Sequence, residues 1–196
     1  MKCVILGAGL GSRLQPFSQE LPKPMMPVVN KPLLEHTIQT IRNIGIQDIL
    51  INLFYLPETI KSYFGDGSNY GVHITWGHET KLSGPAGALL TFEEILCQEQ
   101  VVLVVSGDAL HDVNLDDFVQ THKKSGAQLS VVMKEVQDAG RFGVGSVGQD
   151  NLLTDFVEKP PLPHEDYGLV SCGIYCITLL YSLCSGVLMY MISARI

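Results

Sequence analysis

The sequence predicts an α/β domain built on a mainly parallel sheet. Apolar, β-branched runs alternate with segments of helical period, the order that lays helices between parallel strands. At 196 residues the chain is long enough for one domain with a sizeable core and short for two. Hydrophobic residues make up 46% and charged residues 17%, the balance of a globular chain. No internal repeat or low-complexity linker interrupts it.

The elements follow in order. "CVILGAG" reads as a buried strand. "KPLLEHTIQTIRNIG" reads as a helix, with Pro32 near its first turn, Leu34, Ile38 and Ile41 on one face, and Gly45 as its stop. "DILINLF" is a second strand. A short helix starts at Pro57 and ends at the turn "GDGSNYG". "VHITW" is a third strand, and Ala86 to Cys97 is a helix. "VVLVVSGD" is a fourth strand, buried on both faces by its composition. Asp112 to Ser125 is a helix with Asp112 as its N-cap. "AQLSVVMKEV" is the next strand, and "NLLTDFVEKP" ends another.

A net charge of −7 argues against a general nucleic-acid binder, which needs a broad basic face. The charge is uneven, however. Met1 to Lys31 holds four basic residues (Lys2, Arg13, Lys23, Lys31) and one acidic residue, Glu20. A locally basic loop on an acidic chain suits a small anionic ligand. Five cysteines show no CxxC pair and no metal-ligand spacing, so reduced thiols in a cytoplasmic protein are expected. The N-terminus enters a strand at once, without the pattern of a signal peptide. The six histidines have no metal spacing and read as surface or packing residues.

The segment "GAGLGSRLQPFSQELPKPMMP" follows the first strand. Glycine there lets backbone N–H groups approach a phosphate closely. The dinucleotide pattern GxGxxG fits at Gly7 and Gly9 but fails at Ser12. Pro16, Pro22, Pro24 and Pro27 also forbid the long helix that this pattern requires. The Walker pattern GxxxxGK[ST] is absent. A plain glycine turn without a ligand leaves Arg13 and Lys23 unexplained. A third type of loop remains. In it the backbone cradles phosphates while two cations, Arg13 and Lys23, offset charge building on phosphorus and on a pyrophosphate leaving group.

"GAGLGSRLQPFSQELPKPMMPVVNKP" resembles the opening motif of the sugar-1-phosphate nucleotidylyltransferases, roughly GxGxRLxPxTxxxPKPxxPxxxKP. The likeness continues through "YLPETIKSYFGDGSNYGVHITWGHE", "LSGPAGAL", "VVSGDALHDVNL", "GRFGVGSV", "DFVEKP" and "SCGIYCI", and covers residues 1 to about 187. It implies a Rossmann-like, three-layer domain with a mixed, mainly parallel sheet. It also implies a reaction in which the phosphate of a sugar 1-phosphate attacks the α-phosphorus of an NTP and pyrophosphate leaves. The nucleophile is already an anion, so positioning, cations and Mg²⁺ carry the catalysis.

The resemblance assigns roles residue by residue. Arg13 and Lys23 are the catalytic cations. Leu6, Gly7, Ala8, Gly9, Gly11 and Ser12 take the nucleotide, together with Gly84, Pro85, Ala86 and Gly87 near its base and ribose. Pro85 stands where a threonine is usual. Glu79 is a candidate on the base side. Asp108, at the end of a central strand, is the expected Mg²⁺ ligand. Gly143, Glu158 and Lys159 take the sugar and its phosphate, and Cys172 stands where the family often has asparagine. By look, mannose-1-phosphate guanylyltransferases come first, with glucose-1-phosphate uridylyl- and thymidylyltransferases close behind. A homo-oligomer or a regulatory partner is left open.

From Leu169 to Ala194 no residue is charged. That length would suit a membrane span. A span is not expected, because "LVSCGIYCI" matches a core strand of the family and Gly173, Gly186 and serines interrupt the rest. The permitted codons of "LMYMISA", read in a shifted frame, allow "DVYDFG", which is similar to a segment that follows the "GIY" strand in the family. The expectation is therefore a domain over 1–187, incomplete at its C-terminus, and an out-of-frame tail over 188–196. The family's second acidic metal ligand, on a "WxDIG"-like segment, has no counterpart in the sequence. The rival expectation is a non-catalytic binding fragment or regulatory paralogue.

Overall fold

A computed structural model describes residues 1–179 apart from 10, 12, 13, 15 and 162–165. The expectations for Ser12, Arg13 and the tail beyond 179 lie outside the described residues. The described chain runs β1 (Lys2–Leu6), β2 (Pro27–Val28), β3 (Lys31–Pro32), α1 (Leu33–Asn43), β4 (Asp48–Leu53), α2 (Pro57–Phe64) and β5 (His73–His78). It continues through α3 (Gly84–Thr91), α4 (Glu93–Leu96), β6 (Val101–Ser106), α5 (Leu115–Ser125), β7 (Leu129–Val136), β8 (Gly143–Val147), β9 (Leu153–Glu158) and β10 (Gly168–Thr178).

Among the described residues β5, β4, β1 and β6 lie side by side and parallel, in that order. β10 joins β6 antiparallel through Ile174–Thr178 and pairs with β7 along most of its length. Its first residues, Leu169 and Val170, also pair with β8, and β8 pairs with β9. The sheet is thus mixed and mainly parallel on the side that carries the helices.

Alternating side chains of the parallel strands point to opposite faces. Cys3, Ile5, Ile49, Ile51, Leu103 and Val105 meet Leu34, Ile38 and Ile41 of α1, Ile60 and Phe64 of α2, and Leu115 and Val119 of α5. Val4, Leu50, Val102 and Val104 meet Leu89 of α3, Leu96 of α4 and Phe92 between the two helices. Three layers result. β1, β4 and β6 are buried on both faces, which explains their near-continuous apolar runs, whereas β5 at the edge alternates buried and exposed residues.

The structure corrects several boundaries. The helix expected over 86–97 is two helices that break at Phe92, whose φ of −113° and ψ of 17° leave the helical region. The Phe92 ring is buried against Gly77, where a Cβ would sit 2.5 Å from its Cζ. Packing of that ring competes with helix continuation. The helix expected from Asp112 begins at Leu115, and its cap is Asn114, whose side chain accepts from the Asp117 N–H at 3.1 Å. β8 is a strand that the sequence pattern does not reveal, because Gly143 and Gly145 hide its alternation. The space that a Cβ at Gly145 would fill is taken by Met133 and Leu153. The β2–β3 hairpin is equally hidden. Its turn places Val29 and Asn30 at φ of 49° and 63°, the double left-handed turn that suits tight hairpins.

Candidate active site

The C-terminal ends of the four parallel strands line up. Register pairs Leu6 with Asn52 and Ser106, and Asn52 with Gly77. The residues that follow each strand therefore share one edge: Gly7 after β1, Glu79 after β5 and Asp108 after β6. Open α/β sheets bind ligands at this edge. On the antiparallel side, Gly173 comes next to Ser106, with a Cβ position 2.9 Å from the Ser106 Cβ. A φ of +73° at Gly173 bends β10 at this point, where its pairing with β7 shifts register.

Lys23 opens a short 3-10 turn over Lys23–Met25, between the extended Pro22 and the buried Pro24. This turn brings its ammonium to Asp108. Lys23 Nζ donates to Asp108 Oδ2 at 2.7 Å, and Ser106 Oγ donates to Asp108 Oδ1 at 2.6 Å. Partial burial by itself would raise the Asp108 carboxyl. The bonds from Lys23 and Ser106 outweigh it and hold the group below the ordinary aspartate range.

The loop after β1 packs on the same turn. Gly11 has a φ of +62°, and a Cβ there would stand 3.1 Å from the Lys23 Cβ. Gly9 differs, because a Cβ there would meet nothing within 4 Å. Packing inside the described chain does not demand glycine at Gly9.

Glu79 and Asn52 are buried polar residues. Asn52 Oδ1 accepts from the Gly7 N–H at 2.9 Å, and Asn52 Nδ2 donates to Glu79 Oε1 at 2.7 Å. Glu79 Oε2 accepts from the Ser83 N–H at 3.1 Å. The Gly7 N–H is therefore committed within the protein. Gly84 starts α3 with a φ of +72°, and Pro85 lies in the first turn, where a missing N–H costs nothing. This accommodates the departure from threonine. A Cβ on Gly87 would collide with Ser83 Oγ.

A cleft of about 620 Å³ opens on the α3 side of the sheet. Pro85 and Ala86 of α3 line it together with Gly143, Glu158 and Lys159. Predicted nucleotide-side and sugar-side residues thus face a common space. Gly143 has no room for a side chain, since a Cβ would run into the Phe156 ring, with Glu158 Oε2 2.8 Å away. Lys159 is held by its N–H, which donates to the Phe142 carbonyl at 2.9 Å, and its Nζ lies 3.5 Å from Glu158 Oε1. Ser171 and Gly173 line the cleft, whereas Cys172 between them does not. Burial raises the Cys172 thiol, with Lys134 pulling the other way.

Sequence reasoning misses Asn52, Arg141, Ser171 and Tyr175. Arg141 and Tyr175 line the cleft, and Ser171 Oγ donates to the Tyr175 hydroxyl at 2.9 Å. "GRFGVGSV" and "SCGIYCI" hold three of these, but within those segments only a glycine and a cysteine stand out by type. Nothing in the local pattern distinguishes Asn52 from an ordinary strand residue.

Residues 2–182 match the model of the family described as nucleotidyl transferase. The chain belongs to the nucleotidyl transferase family. A UTP–glucose-1-phosphate uridylyltransferase of Synechocystis sp. is 33% identical over 187 residues, covering 89% of this chain and 48% of that protein. A mannose-1-phosphate guanyltransferase of Yarrowia lipolytica is 36% identical over 166 residues, covering 82% of this chain and 45% of that protein. The chain spans about half the length of these two relatives. A crystallised Bacillus anthracis protein, provisionally assigned as a glucose-1-phosphate thymidylyltransferase and bound to sucrose, superposes with a TM-score of 0.83 at 27% identity. That match covers 100% of this chain and 76% of the other.

Nucleotidyl transferases of this family generally use a divalent metal. Among the described residues no three acidic, histidine or cysteine side chains converge as a metal cage. Asp108, with one carboxylate, fits a Mg²⁺ that arrives already held by a triphosphate, since that ion needs only one or two protein carboxylates. Among the described residues no helix is long and apolar enough to cross a membrane.

Proposed function

We propose that this chain transfers a nucleotidyl group from an NTP to a sugar 1-phosphate, giving an NDP-sugar and pyrophosphate. Mannose 1-phosphate with GTP is the pair we favour, following the likeness to mannose-1-phosphate guanyltransferases. The observation that carries the reading is the meeting of Lys23 and Asp108 at the strand-end edge, where Ser106, which donates to Asp108, lies against Gly173 of the cleft that Pro85, Glu158 and Lys159 also line.

In this reading the Gly7–Ser12 loop and the Gly84–Gly87 turn hold the NTP, with Glu79 on the base side. Arg13 and Lys23 hold its phosphates. Glu158 accepts from sugar hydroxyls and Gly143 lets the sugar approach the backbone, while Cys172, off the cleft, makes no contact with the sugar. Lys159 orients the sugar phosphate. An oxygen of that phosphate forms a bond to the α-phosphorus in line, and the bond from the α-phosphorus to the bridging oxygen breaks. Both electrons go to the departing pyrophosphate. Asp108 would hold Mg²⁺, which would supply neutralisation of the phosphate charge. No proton has to be removed from the nucleophile. Buried, unbridged thiols at Cys3 and Cys176 favour a reducing, cytoplasmic setting.

The test is pyrophosphate release with Mg²⁺ across NTPs and sugar 1-phosphates. Turnover by the wild type, lost in Asp108→Asn and Lys23→Ala, supports the reading. Equal background rates in all three proteins would sink it. They would favour the second reading, a non-catalytic binding chain, which draws on the absence of a metal cage around Asp108 among the described residues.

A further inference from the structure

Glu79 is 5% exposed and Asn52 is 3% exposed, yet among the described residues Glu79 forms no ion pair. Their polar atoms are satisfied by each other and by two backbone N–H groups. The order is Gly7 N–H to Asn52 Oδ1, Asn52 Nδ2 to Glu79 Oε1, and Ser83 N–H to Glu79 Oε2. Three hydrogen bonds of 2.7 to 3.1 Å thus join the first glycine of the β1 loop to the turn that opens α3. These are the two walls assigned to the nucleotide.

We propose that Glu79 is a positioning residue that fixes the gap between these walls, and that Asn52 is its relay. The inference rests on the nucleotidyl-transfer reading. It replaces a direct base contact by Glu79 with an indirect role.

The relay has a fixed polarity. Glu79 supplies two acceptors, and Asn52 turns one of them into an acceptor for Gly7. Glu79→Gln sets an NH₂ against either Asn52 Nδ2 or the Ser83 N–H. Flipping the Asn52 amide to cure this sets Nδ2 against the Gly7 N–H. The mismatch moves along the chain and cannot leave it. Asn52→Asp fails differently, placing two carboxylates in contact. The double variant Glu79→Gln with Asn52→Asp restores every bond. The introduced glutamine amide then donates to one oxygen of the introduced aspartate, and the other aspartate oxygen accepts from Gly7. The glutamine carbonyl accepts from Ser83. The total charge is that of the wild type.

The experiment measures binding of Mg²⁺ with GTP, UTP or dTTP by calorimetry, and amide exchange at Gly7 and Ser83 in the free protein. Each single variant should bind the preferred nucleotide about tenfold more weakly, because a buried group is left unsatisfied. Each should also lose protection at Gly7. The double variant should recover both. Its affinity alone carries the test if a single variant does not fold, since a base contact by Glu79 predicts a loss that the swap cannot repair. Restored amide protection with unrestored affinity, or a changed preference among the three nucleotides, overturns the proposal in favour of direct contact. Unchanged protection in Glu79→Gln also overturns it. A wild type that binds none of the three overturns the functional reading and this role with it. That failure is told apart from the others because it occurs before any substitution.

Discussion

Lys23 Nζ lies 2.7 Å from Asp108 Oδ2, so the residue proposed to grip phosphates and the residue proposed to hold the metal neutralise each other. Both side chains are about one-third exposed, which leaves the pair open to exchange with an incoming ligand. A triphosphate that draws Lys23 away frees the Asp108 oxygen. Metal and nucleotide binding should therefore favour each other. Mn²⁺ titration by electron paramagnetic resonance should give tighter binding with GTP present than without it. Lys23→Met should tighten Mn²⁺ binding by the free chain. Identical metal affinity in wild type and Lys23→Met would rule out the exchange.

His122 supplies the pH dependence. It is buried, with Ser130 Oγ 2.8 Å from Nδ1 and Thr178 Oγ1 2.9 Å from Nε2. Thr178 Oγ1 donates onward to the Ala127 carbonyl, so it accepts from Nε2–H and Nδ1 accepts from Ser130. Burial lowers the His122 ring below its ordinary value of 6.5, and Lys123 adds to this. A His lowered in the folded state binds its proton more readily when unfolded. Stability then falls as pH drops through 6.5 toward the folded value and is retained above 6.5. Burial lowers His111 as well, against a smaller opposing pull from Asp112, so part of the slope belongs there. The Tm should decline from about pH 7 to about pH 5.5, and the decline should be shallower in His122→Gln. An equal slope in both proteins would remove His122 from the account.

Gly173→Ala tests the bend in β10. The new Cβ would sit 2.9 Å from the Ser106 Cβ at a φ of +73°. Left-handed strain and overpacking together predict a loss of about 1–3 kcal/mol in chemical denaturation. Ser106 also donates to Asp108, so the displacement should lower pyrophosphate release beyond the effect on stability. A variant of unchanged stability would mean that the bend relaxes freely.

Asn114→Ala removes the α5 cap and should cost about 1 kcal/mol. Asp112→Ala, outside the helix, should cost less. The reverse order in urea denaturation would return the cap to Asp112.

The fold is legible in the sequence wherever burial on both faces leaves nearly continuous apolar runs, as in "ILINL" and "VVLVV". It is less legible where one ring or one glycine decides. Phe92 breaks a helix whose composition favours continuity, and glycines in β8 erase the alternation that marks a strand. The meeting of Lys23 and Asp108 is readable in part because a proline-flanked lysine and a strand-end carboxylate are local patterns. Asn52 is not, since its role exists only through Gly7 and Glu79, which lie 45 and 27 residues away.

The place of β10 in the sheet bears on how the chain is made. Residues 168–178 supply the strand that fastens β6 to β7 and β8. Until they leave the ribosome, no other strand among the described residues pairs with the outer edge of β6 or with that edge of β7. The parallel half can gather its helices early, but the antiparallel half waits for a late insertion between strands already synthesised. Such a chain spends its growth with open strand edges, the state most prone to mispairing with neighbours. Nascent chains released before residue 168 should therefore aggregate, while those that have extruded β10 acquire a joined sheet.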